Sequence, residues 1–139
     1  MFSKNNLIST VVTTIWAFFG GYLLWGILGD PFLKEHLGAG AGNMPETPNF
    51  TFLILGCLIM AWAFSTIYSK WARGAHSISQ GAEFGLMLAI LVGFGSGLID
   101  HSTGNILDMT GTLINGIIYI VFFVIMGVLA SVVYNKLSE

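Results

Sequence analysis

Charge is scarce in this sequence. Only 9% of the 139 residues are Asp, Glu, Lys or Arg, against roughly 25% in an ordinary soluble domain. A water-soluble fold with so little charge cannot cover its surface with polar groups, so lipid must solvate much of it. The net charge is −2 and basic residues form no block. We therefore expect the lipid bilayer as a partner and no nucleic acid.

Cysteine is also nearly absent, and so are the patterns of common enzymes. The single Cys57 lies in an apolar run, which excludes an internal disulfide framework and a cysteine-based metal centre. The motifs Gly-x-Ser-x-Gly, Ser-x-x-Lys and His-Glu-x-x-His do not occur. We expect no enzymatic activity and no cofactor.

What the sequence does have is four long apolar runs, at about residues 7–28, 50–68, 78–99 and 109–135. A transmembrane helix needs about 20 mostly apolar residues, so each run can span a bilayer. The first run is longer than the apolar core of a signal peptide, and we interpret it as a retained span. The sequence thus predicts an all-α, four-transmembrane-helix bundle, a single membrane domain over residues 1–139.

Basic residues predict the orientation of this bundle. In a four-span chain Lys4, Lys70, Arg73 and Lys136 fall on one side, and Lys34 falls on the other. Cytoplasmic segments are enriched in Lys and Arg, so both termini are predicted to be cytoplasmic. We expect a multi-pass membrane protein.

The longest connection, residues 29–49, is the first outer loop in this topology. Asp30 followed by Pro31 is typical of a helix start. Phe32, Leu33 and Leu37 can lie on lipid while the intervening polar residues face water. The pattern predicts a short interfacial helix, followed by a glycine- and proline-rich loop.

Small residues recur every four positions along the third run, at Gly81, Gly85, Ala89, Gly93 and Gly97. Such a stripe lets two helices approach closely in lipid. Packing inside the monomer's own bundle is the general expectation, and contact with another chain is the alternative. Asn115, about two turns into the fourth run, is expected to bond to a neighbouring helix.

Ionisable groups in a membrane span are candidates for function. Glu83 lies inside the third run, and His76 and Gln80 precede it at spacings that a helix brings roughly to one face. This face is a candidate proton or ligand site. The alternative is that Glu83 reaches the interface or pairs with Arg73 or Lys70.

A second polar group is predicted at the outer end. His36, Asp100, His101 and Asp108 all fall near it, and imidazoles and carboxylates can bind a divalent metal. Their spacing matches no recognised metal motif. Asp108 as a helix cap and a solvated Asp100–His101 helix end form the alternative interpretation.

The stretch WAFFGGYLLWGILGDPFLK (residues 16–34) resembles a bacterial family of uncharacterised four-helix integral membrane proteins of similar length. In that family the first helix ends in a Trp-rich motif before a short outer amphipathic segment. The third run and the fourth run, with Asn115 and Gly116, fit the same layout. The family's usual Trp-Tyr pair reads Trp25-Gly26 here. The resemblance implies a fold and no particular chemistry.

Two functions are therefore open. The first is an accessory or structural subunit of a homo- or hetero-oligomeric membrane complex, acting through intramembrane helix packing with itself or other membrane subunits. The second is a small proton- or cation-coupled transporter, or a small-ligand-binding membrane protein, that uses Glu83 and His76.

Overall fold

The structure, a computed structural model, describes residues 2–43 and 47–138. Within these residues the chain is all-helical, and four helices are long and apolar enough to cross a membrane. They are α1 (Lys4–His36), α2 (Phe50–Ala72), α3 (Ile78–Thr103) and α4 (Met109–Ser138). A short 3₁₀ helix, Ala39–Asn43, lies between α1 and α2.

Each helix begins at a polar capping side chain. The caps are Ser3, Asn49, Ser77 and Asp108, whose side-chain oxygens accept hydrogen bonds from the backbone N–H three residues on at 3.1, 3.3, 3.1 and 2.7 Å. These bonds satisfy N–H groups that have no partner within the helix. α2 ends at Arg73, which has φ 51°, before Gly74 with φ 86°. This left-handed pair stops the helix and turns the chain toward α3.

Four antiparallel spans give the bundle two distinct ends. We call the end that carries both chain termini and the α2–α3 connection the terminal end. The other end, which carries the α1–α2 and α3–α4 connections, is the loop end.

α1 is longer than the sequence predicts, because the expected interfacial helix continues it without a break. Residues Tyr22–Gly29 are π-helical, and Asp30 follows with helical φ and ψ of −54° and −46°. The wider π turns precede Pro31, which has no N–H to donate, and let the helix pass it. At 1.5 Å per residue α1 is about 50 Å long, which exceeds a hydrocarbon core of about 30 Å.

α4 is the central helix of the bundle. α3 packs against one side of it, and α1 packs against both α4 and α2. α2 and α3 meet mainly through aromatic side chains near the terminal end, where Phe84 contacts Phe64, Tyr68 and Trp71 at ring-centroid distances of 4.9, 5.5 and 5.5 Å. The bundle is therefore packed most closely along α3–α4 and least closely between α2 and α3 at the loop end.

Candidate functional site

The small-residue stripe of α3 faces α4 of the same chain. A Cβ added to Gly81 would overlap the carbonyl oxygen of Gly127, and one added to Gly127 would overlap that of Gly81. A Cβ on Gly85 would overlap the carbonyl oxygen of Phe123, and Ala89 is fully buried. The two backbones touch at these positions, which only glycine or another very small residue permits.

The same contact continues toward the loop end. A Cβ on Gly93 would lie 2.7 Å from Cβ of Tyr119, and one on Gly97 would lie 3.7 Å from Cγ2 of Thr112. On α4, a Cβ on Gly116 would lie 2.7 Å from the ring of Phe94. From Gly81 to Gly93 the stripe is thus occupied within one chain, and its glycines are not free to contact a second one.

Asn115 bonds to α1. Its Oδ1 accepts a hydrogen bond of 2.6 Å from the indole Nε1 of Trp25. The Trp25 ring packs edge-on against Tyr119, with 4.8 Å between the ring centroids. Nearer the terminal end of α1, Nε1 of Trp16 donates a hydrogen bond of 3.0 Å to the carbonyl oxygen of Phe122. Two tryptophans of α1 therefore anchor it to α4 through both a ring contact and a hydrogen bond.

A buried polar network that the sequence analysis missed joins α1, α2 and α4 near the terminal end. Nδ2 of Asn6 donates to Oγ1 of Thr66 at 3.2 Å and to the hydroxyl of Tyr134 at 3.1 Å. The hydroxyls of Ser9 and Ser65 are 2.8 Å apart. All of these side chains are buried, so each bond satisfies a polar group that the bundle shields from its surroundings.

One acceptor of this network has no partner. Among the described residues, Oδ1 of Asn6 and Nε1 of Trp62 are the buried side-chain polar atoms without a hydrogen bond. A sequence signal for the network does exist. Asn6, Ser9 and Thr13 recur at helical spacing at the start of α1, where Thr10 and Thr14 are polar as well, which indicates a polar side of this helix.

His76 lies beside this network. Its Nδ1 is 3.2 Å from the hydroxyl of Tyr68, and its ring stacks on Tyr134 with 5.1 Å between the centroids. His76 precedes the capping Ser77, so helical spacing does not relate it to Glu83. The side chain of Glu83 is exposed on the outside of α3, and that of Gln80 is half-buried. In the part of the chain that the structure describes, no side-chain hydrogen bond joins His76 to Gln80 or to Glu83.

Glu83 also lacks the expected partner in its own chain. In residues 2–43 and 47–138 the ion pairs within 4.0 Å are Lys34 with Asp30 and His36 with Asp108. Glu83 therefore pairs with neither Lys70 nor Arg73. Its carboxylate faces outward from the bundle near the terminal end of α3.

The position of His76 predicts a pH dependence of stability. Burial lowers the pKa of His76 from its ordinary value of 6.5. Below about pH 6.5 the unfolded chain then binds more protons than the folded one. The free energy of unfolding should therefore decrease as the pH is lowered below about 6.5, and it should stay constant above that pH. We expect unfolding in detergent to show this loss, and His76→Gln to flatten it. An equal slope for both proteins would contradict the assignment.

At the loop end the structure brings two of the four predicted metal ligands together. Nδ1 of His36 lies 3.1 Å from Oδ2 of Asp108. Nδ1 of His101 lies instead 2.8 Å from the carbonyl oxygen of Leu107, and the backbone carbonyl oxygen of Asp100 accepts from Gly104 N–H at 2.7 Å. No three His, Cys, Asp or Glu side chains converge on a possible metal position in the part of the chain that the structure describes.

Asp108 acts here as a cap and as a link between the two loop-end connections. Its hydrogen bond from the Gly111 N–H, together with the nearby His36, lowers the pKa of the Asp108 carboxyl despite some desolvation. Backbone bonds add to this link, since Gly38 N–H donates to Ile106 O at 2.6 Å and Gly40 N–H to Asn105 O at 2.9 Å. The segment after α1 is thereby fixed to the segment before α4.

Comparison with known proteins gives no relative to extend these observations. No protein-family model matches the chain, and no curated protein or solved structure matches it either.

Proposed function

We propose that this protein is a structural or accessory subunit of a membrane complex, acting through intramembrane helix contacts with itself or with other subunits. The bacterial inner membrane is its proposed location, with the terminal end in the cytoplasm. The four basic residues of the terminal end, against one at the loop end, support this orientation.

The observation that carries the proposal is the exposure of the loop-end half of α2. All of residues 50–56 are exposed, and nothing lies within 4 Å of a Cβ added to Gly56. Glycine inside a helix costs about 1 kcal/mol relative to alanine. The glycines of α3 offset that cost by close packing on α4, whereas Gly56 has no such contact in its own chain. A helix from another chain would supply it.

Substitution of Gly56 tests the proposal. Gly56→Leu has room for its side chain in the monomer, so it should leave folding intact and weaken assembly by about tenfold or more. The measurement is native mass spectrometry of tagged protein extracted from its own membranes in mild detergent. Gly21→Leu is the matched control, because a Cβ added at Gly21 on α1 also has no atom within 4 Å. A monomeric wild type, or equal assembly of both variants, would refute the proposal.

One observation favours a second function, the binding of a small ligand. His76, Ser77, Ser131, Asn135 and Lys136 help to line a cavity of about 180 Å³ at the terminal end. A small molecule that remains bound during native mass spectrometry, and is lost in His76→Ala, would support this candidate. Retention of the molecule in that variant would count against it.

A further inference from the structure

α2 carries an exposed stripe on the side opposite its buried face. The buried face is formed by Cys57, Ala61, Phe64 and Tyr68. Residues recurring every three or four positions form the opposite stripe, and apart from the half-buried Ala63 they are exposed: Phe52, Gly56, Ile59, Ala63, Ile67 and Lys70. The stripe thus combines a basic residue at the terminal end with two small residues further along.

α3 carries a stripe of the opposite character. Glu83 lies at its terminal end, and Met87, Ile90 and Leu91 follow, with 51%, 47% and 63% of their surfaces exposed. Glu83 lies about 8 Å along the axis from the first residue of α3, at 1.5 Å per residue. An unpaired carboxylate at that depth is unfavourable in lipid, and a cationic partner relieves it.

The two charges lie beside the same interhelical contact. Lys70 is next to Trp71 and Glu83 is next to Phe84, and the rings of Trp71 and Phe84 are 5.5 Å apart. Both charged side chains are exposed. They form no ion pair with each other in the described chain. α2 and α3 therefore present a basic and an acidic group outward at about the same level of the bundle.

We propose that a second copy of this chain covers this surface, with Glu83 of each copy paired to Lys70 of the other. The inference rests on the proposed function and names its partner. In a dimer with a two-fold axis along the membrane normal, α2 of one copy faces α3 of the other, and the same contact occurs twice. Both ion pairs then form at the terminal end.

The sizes of the side chains fit the same register. About two helical turns from Lys70 toward the loop end lies Ala63, and about two turns from Glu83 in the same direction lies Ile90. The exposed Ile90 of one copy thus meets the small Ala63 of the other. Further along, the open side of Gly56 admits the bulky residues of the facing α3. At Ala63 and Gly56 a small residue of α2 therefore leaves room for a large residue of α3, which lets the two helices approach closely in lipid.

Charge exchange tests the ion pairs. Glu83→Lys and Lys70→Glu each place like charges opposite one another, so each should weaken dimerisation in lipid vesicles by about tenfold or more. The double variant restores opposite charges and should restore the dimer. Single-molecule photobleaching of labelled protein measures the dimer fraction. Lys4→Glu, a charge reversal at an exposed base of the same end but outside the surface, is the control, and circular dichroism checks that each variant folds.

Crosslinking tests the register independently. Two variants are expressed together and oxidised, one carrying Ala63→Cys and the other Ile90→Cys. Both also carry Cys57→Ala, which removes the native cysteine. A disulfide-linked band of twice the chain's mass is expected. If wild type is oligomeric but neither charge exchange nor crosslinking responds, this surface is wrong and the proposed function stands. If the wild-type protein is monomeric, both the dimer surface and the proposed function are wrong.

Discussion

Gly81→Ala should lower the free energy of unfolding by about 2 to 3 kcal/mol, the upper part of the range of about 1 to 3 kcal/mol for forcing an extra group into a packed contact. The added Cβ would overlap the carbonyl oxygen of Gly127. Because that atom belongs to the α4 backbone, a rotamer change cannot relieve the overlap, and α3 and α4 must move apart. Unfolding of purified protein in mixed micelles by increasing fractions of SDS measures the effect.

Gly21→Ala is the matched control for Gly81→Ala. Nothing lies within 4 Å of a Cβ added at Gly21, so alanine there should be neutral or stabilising by up to about 1 kcal/mol through helix propensity. Equal unfolding curves for the two variants would show that the α3–α4 contact is looser than described.

Asn6→Ala should lower the free energy of unfolding by about 2 kcal/mol. It removes two interhelical hydrogen bonds, to Thr66 and Tyr134, each contributing on the order of 1 kcal/mol in a membrane. It also leaves a void among buried groups. The unpartnered Oδ1 of Asn6 disappears with the side chain, which offsets part of the loss. SDS-induced unfolding is again the measurement.

Asn5→Ala is the control for Asn6→Ala, since Asn5 is the neighbouring asparagine and is only half-buried. Its replacement should change stability by less than about 0.5 kcal/mol, as is usual away from buried contacts. If both variants behave alike, the network does not stabilise the contact between α1, α2 and α4.

The helices could be predicted from the sequence because the physical signals are local. Each apolar run is long enough to span a bilayer, and a capping residue such as Asn49 or Ser77 stands immediately before its helix. The extension of α1 through Pro31 could not be predicted in the same way. Asp30 and Pro31 are typical of a helix start, and only the π turns before them carry the helix onward.

The candidate sites were harder to predict because they depend on how the helices rotate against each other. Spacing alone placed His76 with Glu83, but the turn at Arg73 and Gly74 directs His76 inward to Tyr68. The hydrogen bond between Trp25 and Asn115 likewise depends on how two helices pack, and spacing in the sequence does not predict it. The small-residue stripe could be seen in the sequence, whereas the side of the bundle that it faces could not.

Backbone hydrogen bonds join Gly38 and Gly40 to the segment before α4, and they help to hold the helices of the bundle together. α1 is joined to the start of α4 at the loop end, and Asn6 and Trp25 join it to α4 elsewhere. Ser9 and Ser65 hold α2 to α1 directly. These contacts do not depend on the chain being continuous at Pro48, which lies between α1 and α2. We therefore expect a chain opened at Pro48 to assemble as a two-piece bundle through the same contacts.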